Sequence, residues 1–284
     1  MTEKNRTILK SVINYTASIV TALLCFLLCV AIAFGVLTSK WYIKSTVKSS
    51  KYISGAATEL KEDMISLAIP SGLPENFFND KISTDLLLDL NNQIINNAYG
   101  SANFKTDITA VKAYHIALLK EYASSAELDN EIEVSEEGLN YLSDLCAEKY
   151  KKMGANSVFK YLSLYAGKLN AYMPFAIIGL IAVNAFCFMF LIKLGKAERD
   201  KRFIYFSLCG AGIMTLALPL FVILCGYVKK ISISSRAMHQ FIMSYVNNIL
   251  TLLVILGVIL IALSIFILFF KKKDKKTEKT LDLN

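Results

Sequence analysis

Histidine, tryptophan and proline are scarce in this chain of 284 residues, which has two His, one Trp and four Pro. Charged residues make up only 19% of it and apolar residues 55%, whereas about a quarter of an ordinary soluble domain is charged. Two histidines exclude a multi-histidine zinc site, and six cysteines are too sparse for a disulfide-rich scaffold. The composition therefore excludes a wholly disordered chain and a single soluble core.

Charge is missing altogether from four long stretches of the sequence. They are Ser11–Ser39, Leu169–Ile192, Phe203–Val228 and Ala237–Phe270. A helix needs about 20 mostly apolar residues to cross about 30 Å of hydrocarbon, and each stretch is longer than that. The sequence therefore predicts four transmembrane helices in contact with a lipid bilayer, near 13–37, 171–192, 204–228 and 248–270.

The first of these stretches has some features of a cleavable signal peptide. Basic residues precede it, and Ala31-Ile32-Ala33 resembles a small-residue cleavage site. Its apolar part nevertheless continues to Leu37, beyond the roughly 7–15 residues of a signal-peptide core. Trp41 and Tyr42 then follow where interfacial aromatic residues are expected. We expect an uncleaved membrane anchor.

Basic residues are concentrated in the three segments that face the cytoplasm if the N-terminus lies inside. These segments are Met1–Ser11, Lys193–Arg202 and Lys271–Asn284. They hold 14 Lys and Arg in 35 residues, whereas the two outer segments hold 17 in 148. Because Lys and Arg are enriched on the cytoplasmic side of membranes, both termini are predicted to be cytoplasmic. The net charge of +8 then reflects topology and attraction to anionic lipid, and nucleic acid is not an expected partner.

The segment between the first two predicted spans is the only one large enough for a domain. We divide the chain into a cytoplasmic N-terminus with the first span, an extracytoplasmic domain, three further spans and a basic tail. The boundaries are 1–40, 41–168, 169–270 and 271–284. The predicted fold class is an all-α integral membrane protein, with four transmembrane helices and an extracytoplasmic helical bundle inserted between the first and second.

Helical periodicity extends throughout this inserted segment. The first span is predicted to continue as helix to about Leu67, and Pro70-Ser71-Gly72 ends it. Three more helices are predicted to begin after the N-caps Ser83, Asp107 and Ser135. Their apolar stripes are Leu87, Leu90, Ile94 and Ala98; Ile108, Val111, His115, Leu118 and Tyr122; and Leu139, Leu142, Cys146, Tyr150 and Met153. Each stripe has to be buried against a neighbour, which favours a compact bundle.

A few residues are weak candidates for binding or sensing. His115 lies on an apolar stripe, where a hydrogen-bonded core histidine is the alternative, and His239 could sense pH near the membrane surface. Asn184 lies near the middle of its span, where its side chain could contact either a neighbouring helix or a ligand. Glu131 and Glu133 belong to a run of six acids in residues 127–137, which is either a cation site or a solvated loop.

Motifs that commonly carry enzymatic chemistry are absent from the sequence. It contains no H-E-x-x-H, no G-x-S-x-G and no G-x-x-x-x-G-K-[ST]. The predicted spans contain no ionisable Asp, Glu, Lys, Arg or His, which argues against a proton-driven carrier. We therefore expect a non-enzymatic protein with no catalytic residues, cofactor or metal ion. Its outer bundle would bind or sense an envelope ligand, an extracytoplasmic protein or another membrane protein, in an unknown oligomeric state.

The order of spans and domain resembles that of the FtsX/MacB class of ABC-type permeases. The resemblance covers the topology of the whole chain and no residue motif, and it implies work with a separate cytoplasmic ATPase through a coupling helix after the second span. The chain departs from the pattern at Lys193–Arg202, which has only ten residues. Lysine outnumbers arginine 27 to 4, which favours an AT-rich genome and, with the absence of a disulfide framework, the plasma membrane of a Gram-positive-like bacterium.

Overall fold

A computed structural model describes residues 3–100, 106–128, 135–154, 157–194, 202–233 and 235–281. Regular structure within these ranges is helical and includes no β-strand, which confirms the predicted all-α class. The helices are α1 Glu3–Leu37, α2 Lys40–Ser49, α3 Tyr52–Ala68, α4 Thr84–Gly100, α5 Thr109–Leu128, α6 Glu136–Gly154, α7 Ser157–Leu194, α8 Arg202–Leu224 and α9 Arg236–Leu281. Short 3₁₀ turns follow α3 at Ile69–Ser71 and α8 at Tyr227–Lys230.

Four of these helices are long and apolar enough to cross a membrane. Their candidate spans are Ser11–Leu37, Phe159–Lys193, Arg202–Leu224 and Arg236–Leu268. They coincide with the four predicted spans and indicate a multi-pass membrane protein in contact with a bilayer. The third ends before the predicted residue 228, because Gly226 adopts a φ of +63° and turns the chain just after α8.

The chain forms two compact units. The first, here called the span unit, comprises Met1–Leu37, Asn170–Lys230 and Val246–Asn284. The second, the helical unit, comprises Thr38–Leu169 and Ile231–Tyr245. Two helices, α7 and α9, begin in the helical unit and end in the span unit without interruption.

The predicted continuous helix from the first span to Leu67 is wrong, because the chain leaves helical geometry twice. Ser39 is extended, and its side chain accepts a hydrogen bond from the Tyr42 amide at 3.2 Å, which starts α2. Ser50 is extended as well, and its hydroxyl accepts from the Tyr52 amide at 3.4 Å. Serine side chains compete in this way with the helical hydrogen bonds of the backbone, so the helix divides at both serines.

The other predicted starts and stops of the helical unit agree with the structure. Gly72 adopts a φ of +73° after the 3₁₀ turn that follows α3. The Ser83 hydroxyl accepts from the Leu86 amide at 3.3 Å, and α4 ends at Gly100 as predicted. The Asp107 carboxylate accepts from the Thr109 amide at 2.9 Å. These signals are local, so the sequence alone reveals them.

The buried face of α5 differs from the predicted stripe. Val111 and His115 are buried as predicted, but the face continues through Leu119 and Ala123, while Leu118 and Tyr122 are only partly buried. The observed spacing is four residues throughout, which is one of the two ridges that helices use for packing. Periodicity alone does not decide whether successive buried residues are three or four positions apart. The second half of the predicted face is therefore rotated about the helix axis relative to the observed one.

Glycines mark the closest approaches between helices inside each unit. In the helical unit, a Cβ on Gly167 of α7 would lie 2.5 Å from the carbonyl oxygen of Ala98 on α4. In the span unit, a Cβ on Gly212 of α8 would lie 2.6 Å from Cγ1 of Ile261 and 3.0 Å from the carbonyl oxygen of Gly257 on α9. Small residues allow such close packing of helix backbones, which is a main source of helix association in membranes.

Gly212→Ala is expected to lower the apparent thermal unfolding midpoint of the detergent-solubilised protein. The added methyl group overlaps Ile261 and the α9 backbone, and overpacking of this kind costs roughly 1–3 kcal/mol. Gly179→Ala is the matched control, since no atom lies within 4 Å of the position of its Cβ. Equal midpoints for the two variants would show that α8 and α9 are not in this close contact.

Candidate functional site

Five aromatic residues pack together in the helical unit and form what we call the aromatic cluster: Tyr42 of α2, Tyr52 of α3, Phe159 of α7, and Phe241 and Tyr245 of α9. The Tyr52 ring centroid lies 6.0 Å from that of Phe159 and 5.7 Å from that of Phe241. Phe159 and Phe241 are 5.5 Å apart, and Tyr42 and Tyr245 are 5.2 Å apart. The cluster therefore joins four helices from three distant parts of the sequence.

Two hydroxyl groups at the edge of the cluster, those of Tyr42 and Tyr52, are hydrogen-bonded. Tyr42 donates to the backbone carbonyl oxygen of Tyr245 at 2.9 Å, and Tyr52 donates to Oδ1 of Asn91 at 3.3 Å. The Asn91 amide in turn donates to the carbonyl oxygen of Leu87 at 2.8 Å, which fixes the orientation of the side chain. Burial raises the pKa of the Tyr52 hydroxyl well above its usual range, so it stays a neutral donor. Satisfied polar groups of this kind define one packing arrangement of a core.

A second contact, here called the Glu59 clasp, holds the start of α9 against α3 and consists of Glu59, Ser235 and Ala237. The Glu59 carboxylate accepts from the Ser235 hydroxyl at 2.9 Å and from the Ala237 amide at 2.9 Å. The same hydroxyl oxygen accepts from the Met238 amide at 3.1 Å and is thus the N-cap of α9. A carboxylate at a helix N-terminus also interacts favourably with the helix dipole.

The backbones of α3 and α9 pass very close beside the Glu59 clasp. A Cβ on Gly55, one turn before Glu59, would lie 3.1 Å from Cα of Ala237 and 3.0 Å from Oε1 of Gln240. An alanine at this position would have to displace the start of α9 by a few tenths of an ångström, so Gly55 favours this close approach. The arrangement is suited to holding helices in register and to transmitting a shift between them. Across the described ranges, no three His, Cys, Asp or Glu side chains are grouped so that they could hold a metal ion.

His115 is fully buried between aromatic rings of the helical unit. Its Nδ1 lies 2.8 Å from the carbonyl oxygen of Val111, which can only accept, so Nδ1 carries the proton. Its Nε2 is buried and has no hydrogen-bond partner within the part of the chain that the structure describes. The rings of Tyr150 and Tyr114 meet the imidazole edge-on at 5.0 and 5.2 Å. Burial lowers the pKa of His115, so the imidazole is neutral at neutral pH.

Asn184 joins two helices of the span unit. Its amide donates to the carbonyl oxygens of Leu24 on α1 at 3.2 Å and of Leu180 on its own helix at 2.8 Å. Its Oδ1 lies 3.1 Å from the Cys25 sulfur, which donates to it. These bonds occupy both ends of the buried side chain, as in the polar contacts that hold membrane helices together.

The structure does not bring the predicted candidates together into one site. His239 lies in the first turns of α9 and is partly buried, whereas His115 is on α5 and Asn184 belongs to the span unit. Glu131 and Glu133 lie outside the described residues. So do residues 195–201 of the short segment between the second and third spans.

The aromatic cluster and the Glu59 clasp depend on residues that the sequence analysis did not select. Glu59 falls on the buried face of α3, next to Leu60 and seven residues after Tyr52. An acid on an apolar face was the available signal, but its partner is 176 residues away in sequence. No known protein family, curated protein or solved structure matches the chain, so relatives add nothing to this assignment.

Glu59→Ala is expected to lower the apparent unfolding midpoint, because it removes the acceptor for the Ser235 hydroxyl and the Ala237 amide, a loss of about 1–2 kcal/mol. Glu59→Gln keeps one acceptor oxygen, so its unfolding midpoint should lie between those of the wild type and Glu59→Ala. Glu62→Ala is the matched control, since Glu62 is an exposed acid on the same helix. An effect of Glu62→Ala as large as that of Glu59→Ala would argue against the clasp.

Acidification is expected to destabilise the helical unit through His115. Since burial lowers its pKa in the folded state, the unfolded chain binds the proton more readily. Its contribution to stability is complete above the unfolded pKa of about 6.5 and is lost as the pH falls below that value. The drop in unfolding midpoint between pH 7.5 and pH 5 should be smaller in His115→Phe. A full drop in His115→Phe would contradict the assignment.

Proposed function

We propose that the chain is a non-enzymatic, multi-pass plasma membrane protein. Its helical unit lies outside the cytoplasm, binds a ligand or protein of the cell envelope, and passes the bound state to the spans or to a partner membrane protein. The observation that carries this proposal is the junction of α2, α3, α7 and α9 at the aromatic cluster and the Glu59 clasp.

The junction supports this function because two of its helices continue into candidate spans. Phe159 lies near the start of α7, and Phe241 lies near the start of α9, and both helices run unbroken into the span unit. Tyr42 belongs to α2, which begins three residues after α1 ends. A ligand that shifts α3 would change the packing of Tyr52 and Glu59. The proline-free helix α9 would carry that change along its length, whereas Pro174 interrupts the helical hydrogen bonds of α7.

The distribution of charge supports the proposed orientation. Lys and Arg are more than threefold denser in the segments assigned to the cytoplasm than in the outer ones. The inner segment between the second and third spans, Lys193–Arg202, has only ten residues. The bound state would pass through the spans to another membrane protein, and the envelope side would carry the recognition.

Labelling with a membrane-impermeant maleimide in intact cells tests the orientation. Cys225 is exposed and is first replaced by Ser, and that protein serves as the unlabelled background. Ser124→Cys, at an exposed position on α5, should then be labelled in intact cells. Lys275→Cys in the basic tail should be labelled only after permeabilisation. The reverse pattern would place the helical unit in the cytoplasm and overturn the proposal.

Photo-cross-linking of the full-length protein in its native membrane tests the binding role. A photoreactive residue at Tyr141, which is 68% exposed on α6, should form one saturable adduct with an envelope component. The same residue at Phe175, 77% exposed on α7 within a candidate span, should form adducts with lipid. Absence of any adduct at Tyr141 would count against the proposal, and an adduct with a protein bound to a cytoplasmic ATPase would favour the permease-like alternative.

A further inference from the structure

A groove of about 380 Å³ opens between α1 and α7 within the span unit. Its walls include Val12, Thr16 and Val20 of α1 and Cys187 and Phe190 of α7. The side chains of Val12, Val20 and Phe190 are 43–55% exposed, so they are not covered by the described part of the chain. The groove therefore presents a mostly apolar surface at membrane depth.

The groove runs along the helix axis and is lined mostly by apolar side chains, as the binding of a hydrocarbon chain requires. It follows α1 from Val12 to Thr21, a rise of about 13 Å. Water is a poor occupant, because the hydrocarbon core holds none and the Thr21 hydroxyl already donates to the carbonyl oxygen of Ala17 at 2.8 Å.

An exposed lysine lies beside one end of the groove. Lys193 follows Phe190 by three residues on the same face of α7. Basic residues at a membrane surface attract anionic headgroups. We propose that the groove binds an acyl chain of an anionic phospholipid, with the headgroup held at the end marked by Lys193.

Native mass spectrometry of the full-length protein in mild detergent tests this site. Phosphatidylglycerol and phosphatidylcholine with identical chains are titrated in parallel. The expected result is one saturable phosphatidylglycerol site, with binding about fivefold tighter than that of phosphatidylcholine, since one lysine near the surface contributes about that factor. Glycerol 3-phosphate, which has the charge without the chains, should not displace the bound lipid. Displacement by it would instead assign a phosphate site.

Variants distinguish the contribution of the groove, which would hold the acyl chain, from that of the Lys193 charge. Ala17→Trp fills the groove and should abolish the saturable binding of both lipids. Lys193→Gln should keep the site and remove the preference for phosphatidylglycerol, and this variant decides alone if Ala17→Trp does not fold. Ile181→Trp, at an exposed position on the opposite side of α7 from Phe190, should bind like the wild type.

Three outcomes would overturn the proposal. Non-saturating binding with equal affinity for both lipids would indicate ordinary boundary lipid. Unchanged lipid preference in Lys193→Gln would remove the headgroup assignment. A dimer that Ala17→Trp dissociates would assign the groove to a second copy of the chain.

Discussion

Hydrocarbon offers a peptide chain no hydrogen-bond partners, and this constraint governs the whole architecture. Every backbone group in a span has to be satisfied within the chain, so the four uncharged stretches form helices. Several polar side chains in the span unit follow the same rule. Ser207 donates to backbone carbonyl oxygens of Ser18 and Phe203, and Thr215 donates to that of Ala211. Polar groups in these spans thus serve contacts within and between helices.

The helical unit depends on a different interaction, the packing of aromatic rings from segments far apart in sequence. Aromatic pairs at such distances contribute about 0.5–1.5 kcal/mol each beyond the area that they bury. The hydroxyl groups of Tyr42 and Tyr52 also fix the orientation of their rings, because each donates to a defined acceptor. The first turns of α9 belong to this core, where the Glu59 clasp fixes their start. Packing and electrostatics therefore act on the same helix end.

Features with a local cause could be predicted from the sequence. The spans follow from missing charge, and the ends of helices near Gly72, Ser83 and Gly100 follow from capping chemistry. The breaks at Ser39 and Ser50 were missed, because serine is tolerated inside helices and only the packing on either side decides. The Glu59 clasp could not be predicted for a further reason, since a single sequence does not show that residue 59 contacts residues 235 and 237. Candidate residues chosen by type, such as His115 and His239, likewise did not reveal which side chains meet.

Tyr52 holds the starts of α7 and α9 together through its contacts with Phe159 and Phe241. Hydrogen–deuterium exchange of the full-length protein in lipid nanodiscs, compared between wild type and Tyr52→Leu, measures this directly. The account predicts faster exchange in residues 160–166 of α7 and residues 241–245 of α9 together, with residues 111–123 of α5 unchanged. Faster exchange confined to α3, or no difference at all, would contradict it.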